Sequence, residues 1–529
     1  MEINKNKKKN LSSFAAIAAA VVLVSVIAFT TASCSSSTNN SSENSGSTAY
    51  RANENSGSTA YSTNEISGST SYSTNENNGS DTSDLNECYE LVYSNENITR
   101  ETIAEINKAQ IIYRLAFVRC SFDEGVLAEL APHFDENIAG FIDFASCTGV
   151  DDLSFVSKCE SVTNFVCQYC GLTDSVASSF SNAAIENVYL SGNPELTHLT
   201  LNTQNLYEID LSNTKVENID FLASAKELSY LNLENTNVSD LSPIAPLAHI
   251  SYLNLSGTKV NSFETELNSS FLRELYLNGC GLTSSDGLEK YVCLEKLDLG
   301  NNSLTDVSFI APIVPSLKML ILSGNDITGS DLTFLENAEE MCQLGLDSID
   351  LSECQLSYME NMPHLEMLLA RNCNLTDISG IQNCTNLACI VLGFNNISDV
   401  SPIPSFEGYP ATKQILDLTD NQVESLALLN RSFHAVMLSG NPISDGEVGE
   451  SFGFHTCMID YFDGLESSAL LNGYDAFFYI IGCPEDKQEE IKNIAKFIRF
   501  CTRAEQLEEI VSQYREVRYD EFEEMYLAE

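Results

Sequence analysis

Residues 206–216 read LYEIDLSNTKV, residues 228–238 read LSYLNLENTNV and residues 250–260 read ISYLNLSGTKV. Two further copies, LRELYLNGCGL from Leu272 and LEKLDLGNNSL from Leu294, continue the same 22-residue step. Within each copy, apolar residues hold the first, fourth, sixth and eleventh places. An extended segment sends alternate side chains to opposite faces. The fourth and sixth places therefore enter a core, and the third, fifth and seventh face outward. One such unit cannot bury its own apolar face, whereas a stack of units builds a continuous core.

The same phase runs outward in both directions. Toward the N-terminus it fits IENVYLSGN from Ile185 and VTNFVCQYCGL from Val162; toward the C-terminus it fits LKMLILSGNDI from Leu317, LEMLLARNCNL from Leu365, LACIVLGFNNI from Leu387 and FHAVMLSGNPI from Phe433. Less regular copies are read at FIDFASC, SIDLSECQL and ILDLTDNQV, and the longer gaps at 341–365 and 397–433 predict an insertion or a distorted turn. The ninth place forms a ladder of Asn193, Asn302, Asn325, Asn395, Asn421 and Asn441, with Thr214, Thr236 and Thr258 in the middle. A short side chain carrying donor and acceptor satisfies main-chain groups in the turn leaving each strand, so this ladder is structural. Cys280 stands in the same column, as do Cys147, Cys170, Cys354 and Cys373. Cys147 with Cys170, and Cys354 with Cys373, fall on nominally adjacent rungs, where a disulfide forms only if backbone geometry permits. Free buried thiols fit the register better.

This pattern resembles the leucine-rich repeat family, in particular the 22-residue class of bacterial internalin-like surface proteins, over residues 138–445. The variable halves add to the likeness: VSDLSPIAPLAHI, LTDVSFIAPIVPSL, LTDISGIQNCTNL and ISDVSPIPSF. The resemblance implies an α/β solenoid: a leucine-rich repeat horseshoe or arc with a parallel strand on its concave face, closed by helical caps. It also implies binding on that face.

Reading the outward columns selects candidate contact residues. Early and middle rungs place Tyr230, Tyr252 and Tyr276 outward; later rungs place Met319, Ile321, Met367, Leu369 and Val391 there. An exposed aromatic and aliphatic stripe suits a protein or peptide partner. The expected function is a non-enzymatic, cell-surface protein-binding or adhesion module, with a carbohydrate-binding scaffold or a purely structural envelope protein as alternatives. Two structural covers compete for the stripe: the irregular 341–365 segment and the C-terminal tail.

Catalytic chemistry finds no foothold. The CQYC pair has thioredoxin-like spacing, but the repeat already assigns Cys167 to the core and Cys170 to the ladder. The six histidines are scattered without metal-ligand spacing, so no metal, cofactor or enzyme activity is expected. A formal net charge of -48, from 75 acidic and 27 basic residues, repels nucleic acid and favours cationic partners.

The ends differ from the array. Lysines 5, 7, 8 and 9 precede the apolar run 14–29, which reads as an export signal or membrane anchor over 1–34. TTASC, ending at Cys34, resembles a bacterial lipoprotein signal. Lipidated Cys34, an uncleaved transmembrane helix, and cleavage with release all remain open. Each would put the acidic bulk outside a bacterial cell, and the first two would hold it to the membrane through this segment alone. Residues 35–83 repeat an eleven-residue Gly, Ser, Thr and Asn-rich unit and read as a flexible stalk. Residues 84–137 show helical apolar spacing with Thr99 as N-cap and are expected to form a helical cap. Residues 446–529 are expected to close the other end with a strand, FFYIIG, and two acidic helices.

Overall fold

The computed structural model describes residues 88–501, apart from the stretches 135–139, 263–266, 328–331, 406–413, 472–475 and 495–496 and the single positions 110, 133, 160, 182, 269, 285 and 445. The chain divides into a unit of residues 70–499 and a second unit of 1–69 with 500–529, most of which lies outside the described residues.

Parallel pairing organises the first unit into a leucine-rich-repeat solenoid. Described strands join a nineteen-stranded sheet, and its register carries Leu231, Leu253, Leu275, Leu297, Leu320, Leu344, Leu368, Ile390, Leu416 and Val436 side by side. All ten are fully buried or nearly so. Each contributes roughly 2 kcal/mol of apolar burial, in addition to the main-chain bonds that join each short strand to its neighbours. Strands stack about 4.8 Å apart, while the opposite side is filled by bulkier 3-10 turns such as Asp220–Ser224, Ser308–Ile310, Thr333–Asn337 and Ser379–Ile381. The strand side is thereby the inner one.

Those turns follow from local chemistry. In SDLS, TDVS, TDIS and SDVS, the carboxylates of Asp240, Asp306, Asp377 and Asp399 accept the backbone N–H of Ser242, Ser308, Ser379 and Ser401 at 2.7–2.9 Å. An Asp that bonds the backbone two residues on starts a turn. The recurrent dipeptide therefore returns the chain to its next strand.

The ladder behaves as its residue types require. Asn302 donates from Nδ2 to the carbonyls of Leu277 (2.8 Å) and Leu299 (2.9 Å) and accepts the N–H of Leu282 at 3.0 Å. Thr214, Thr236 and Thr258 keep the bond to the carbonyl three residues back, at 2.6–2.7 Å. Cys280 donates its thiol to the Leu255 carbonyl at 3.1 Å.

Several expectations need correction. The segment 84–137 is not a helical cap. Among its described residues the α-helix is Arg100–Ile106, with the expected Thr99 cap, here a capping box completed by Thr102, and a short 3-10 turn follows at Leu127–Glu129. Cys88–Ser94 and Ile111–Val118 are strands paired in parallel with each other, and the second also pairs with Gly140–Ala145. The array also continues past 445, because Gly453–Asp460 and Phe477–Ile481 extend the same sheet before the helix Glu485–Lys492. The 341–365 segment is neither an insertion nor a cover. It is a 24-residue rung whose strand is Gln343–Gly345, and Ile349 occupies its ladder place. Cys354 consequently falls outside the ladder and meets the Tyr358 hydroxyl at 3.2 Å. The expected transmembrane helix is also corrected: among the described residues, no helix is long and apolar enough to cross a membrane. The leader 1–34 with Cys34, the stalk 35–83 and the last acidic helix lie outside the described residues.

Candidate functional site on the inner strand face

In-register pairing turns the outward places into columns. In one, Glu208, Tyr230, Tyr252, Glu274 and Lys296 follow one another. In the next run Tyr189, Asp210, Asn232, Asn254, Tyr276 and Asp298. Adjacent places on one face lie close enough for rings to touch. Tyr230 and Tyr252 stack with centroids 4.2 Å apart and planes 14° apart, and Tyr276 joins Tyr252 at 5.4 Å and 43°. All three rings remain partly exposed. The expectation of a tyrosine series therefore has a definite geometry, a continuous ring ladder across three rungs.

Carboxylates surround the ladder. Tyr189 donates its hydroxyl to Glu208, and Tyr276 donates to Glu274 Oε2 at 2.9 Å. The other oxygen of Glu274 pairs with Lys296 Nζ at 3.1 Å. Glu234 accepts from Asn254 Nδ2 at 3.3 Å, and Asp298 accepts from Asn278 Nδ2 at 3.2 Å and the Gly300 N–H at 2.8 Å. Burial pushes the Asp298 carboxyl up to about 6, with the Glu234 charge adding to it. Burial also raises Asp210 and Glu234 above the usual carboxylate range. Sequence reading did not single out these acids, because an acidic chain offers too many; their place in the columns is the signal that would have found them.

The raised Asp298 carboxyl carries a stability consequence. Its folded value lies above its unfolded value near 4, so the penalty for ionisation appears as pH rises from about 4 and is complete above about 6. Asp298→Asn is expected to stabilise the chain by roughly 2–3 kcal/mol at pH 7.5 and by little at pH 4. Urea unfolding at the two pH values checks it. Equal effects at both would remove the ionisation account.

The later rungs overturn the apolar half of the expected stripe. Met319, Met367 and Leu369 are each 2 % exposed, Val391 4 % and Ile321 9 %. Register explains this, since Met319, Gln343, Met367 and Cys389 form one contiguous row and Ile321, Gly345, Leu369 and Val391 another. Ile321 leans into the space left by Gly345, where its Cδ1 would lie 2.8 Å from an added Cβ. The side chains cover one another and form a closed floor, so they do not present an accessible apolar patch.

Beside that floor lies an ionic strap. Arg371 donates from Nε and Nη2 to Asp417 Oδ2, each at 3.2 Å, and its backbone N–H meets Asp347 Oδ1 at 2.7 Å. Asp417 belongs to the same column as Asp210 and Asp298.

The cysteines serve the repeat. The fourteen cysteines from Cys120 to Cys483 are free, including Cys147, Cys170, Cys354 and Cys373. Cys170 donates to the Gln168 carbonyl at 3.2 Å and the Phe144 carbonyl at 3.4 Å, and burial pushes the Cys373 thiol up to about 12. Such thiols are poor nucleophiles. Among the described residues, no group of three His, Cys, Asp or Glu side chains could hold a metal ion.

Comparison with known proteins agrees on the repeat. The family described as Leucine Rich repeats (2 copies) matches residues 270–312 and 363–405. Chaoptin of Drosophila melanogaster is 33 % identical over 110 residues, 20 % of this chain and 8 % of its own length. The chain spans only 8–14 % of the curated relatives it matches. Among solved structures, an internalin of Listeria monocytogenes aligns with a TM-score of 0.42 and 22 % identity, covering 52 % of this chain and 85 % of its own. A leucine-rich repeat protein of Leptospira interrogans aligns at 0.41 and 14 %, covering 76 % and 91 %.

Proposed function

We propose that this chain is a non-catalytic scaffold that binds a protein or peptide segment on the tyrosine-bearing part of its inner strand face. The observation that carries this reading is the partly exposed ladder Tyr230, Tyr252 and Tyr276. Tyrosine offers a large rigid contact area with a polar tip and little side-chain entropy to lose, which is why such rings anchor protein interfaces. The buried Met319, Ile321, Met367, Leu369 and Val391 serve as the floor that fixes the strands.

A glycan remains the second reading, favoured by the alternation of rings with amides and carboxylates, which suits sugar faces and hydroxyls. Probing a peptide array and a glycan array with the full chain separates the two. Tyr252→Ala is expected to lower the affinity for array-selected peptides about 30-fold, the ~2 kcal/mol of an aromatic anchor, with the fold retained at the assay temperature by far-ultraviolet circular dichroism. Selection of glycans alone would favour the second reading, and undiminished peptide binding by the variant would remove the ladder from the site.

A further inference from the structure

One outward column holds four aspartates: Asp143, Asp210, Asp298 and Asp417. The two outer members are served by arginines of the chain itself. Arg114 Nη2 lies 3.5 Å from Asp143 Oδ2, and Arg371 reaches Asp417 at 3.2 Å. The two inner members differ. Among the described residues, no lysine or arginine forms an ion pair with Asp210 or Asp298, nor with Glu234 between them. Lys296, on the same strand as Asp298, is directed to Glu274 at 3.1 Å.

We infer that the partner supplies the missing cations: a peptide segment bearing arginines or lysines, whose charged groups lie along the Tyr230–Tyr252–Tyr276 ladder toward Asp210 and Glu234 at one end and Asp298 at the other, four strands and about 19 Å along the column. This rests on the preceding reading of the inner face as a peptide site and names the ligand class for it. Three independent features converge on that class. The face already uses guanidinium to neutralise this column at both ends. Tyrosine ring faces attract cations through their quadrupole, most strongly where water is partly excluded. The inner carboxylates are held largely out of water with amide and backbone N–H donors but no opposing charge, an arrangement that a guest cation relieves. The net charge of -48 brings cations toward any part of this chain. The test must therefore separate this site from the general field.

The probes are fluorescein-labelled hexaarginine and hexalysine, with a Gly-Ser hexapeptide as the neutral control, titrated by anisotropy into the full chain at 0.15 M salt. Asp210→Asn with Asp298→Asn removes two charges from the column. Glu336→Gln with Glu339→Gln removes two from the exposed outer turn. The column pair is expected to weaken binding of the basic probes at least tenfold and the outer pair less than about twofold, since distant exposed charges are screened at this salt. Equal losses from both pairs, or basic probes binding no better than the neutral one, would overturn the assignment. If array-selected peptides depend on Tyr252 but not on Asp210 and Asp298, the cation assignment fails while the peptide site stands. If they depend on neither, both fail.

Discussion

Arg431→Met is expected to destabilise the array by roughly 4 kcal/mol, among the largest single-residue effects in the molecule. Arg431 is 4 % exposed, and its guanidinium binds three acceptors from three parts of the chain: Gln414 Oε1 at 3.1 Å, the Pro404 carbonyl at 3.2 Å and the Leu387 carbonyl. It also lies over the Phe433 ring, 4.7 Å from the centroid. Methionine preserves much of the volume but leaves those acceptors without these donors, and each buried acceptor left unmade costs about 1–3 kcal/mol. Burial lowers the guanidinium to about 10, still high enough to keep it charged at neutral pH. Arg431→Lys should recover little, because an ammonium cannot reproduce the planar fork that reaches three acceptors at once. Guanidinium chloride midpoints of the three proteins check the order. A methionine variant within 1 kcal/mol of the parent would show that the bonds are dispensable.

Asn395→Ala is expected to cost a similar amount, also roughly 4 kcal/mol. Its Nδ2 donates to the carbonyls of Ala370 and Leu392, both at 2.8 Å, and its Oδ1 accepts the N–H of Cys373 at 2.9 Å and of Leu375 at 3.1 Å. One side chain thus closes the turn of its own rung and ties the preceding rung to it. The chain contains the natural half-measure: threonine at 214, 236 and 258 keeps the bond within its own turn but makes none to the carbonyl of the preceding rung. Asn395→Thr should therefore fall between parent and alanine, with stabilities ordered Asn, Thr, Ala in urea unfolding. A threonine variant as weak as alanine would mean that the bonds to the preceding rung carry the whole effect.

The core of this fold was legible because it is periodic. Leu231, Leu253, Leu275 and Leu297 announce themselves by their 22-residue step, and the structure puts them in one row. Rungs that depart from leucine hid themselves. At 341–351, Met341 and Ile349 stand where Leu and Asn are usual and the step lengthens to 24, so the pattern was placed several residues too late, at SIDLSECQL. At 111–122, the places are filled by Ile112, Leu115, Phe117, Cys120 and Phe122, the same spacing in different residues, and their density imitated a helix.

The site was half legible for another reason. Alternation told which side chains leave the core, and Tyr230, Tyr252 and Tyr276 do face outward and remain partly exposed. Alternation says nothing about whether neighbours in the next strands then cover them. Met319 and Met367 are buried by a row that includes Gln343, a residue invisible to the reading that misplaced its rung. The aspartate column needed the same missing rung, because counting from Asp298 to Asp417 passes through Gly345.

The chain has 21 tyrosines and no tryptophan, so its near-ultraviolet circular dichroism in the tyrosine band reports on these rings without an indole background. The most direct test is a titration of the full chain with hexaarginine followed in that band, for the parent and for Tyr252→Leu. The ladder account predicts a saturable change in the parent that is largely lost in the variant. A parent spectrum that stays flat while anisotropy shows the peptide bound, or an equal change in both proteins, would contradict it.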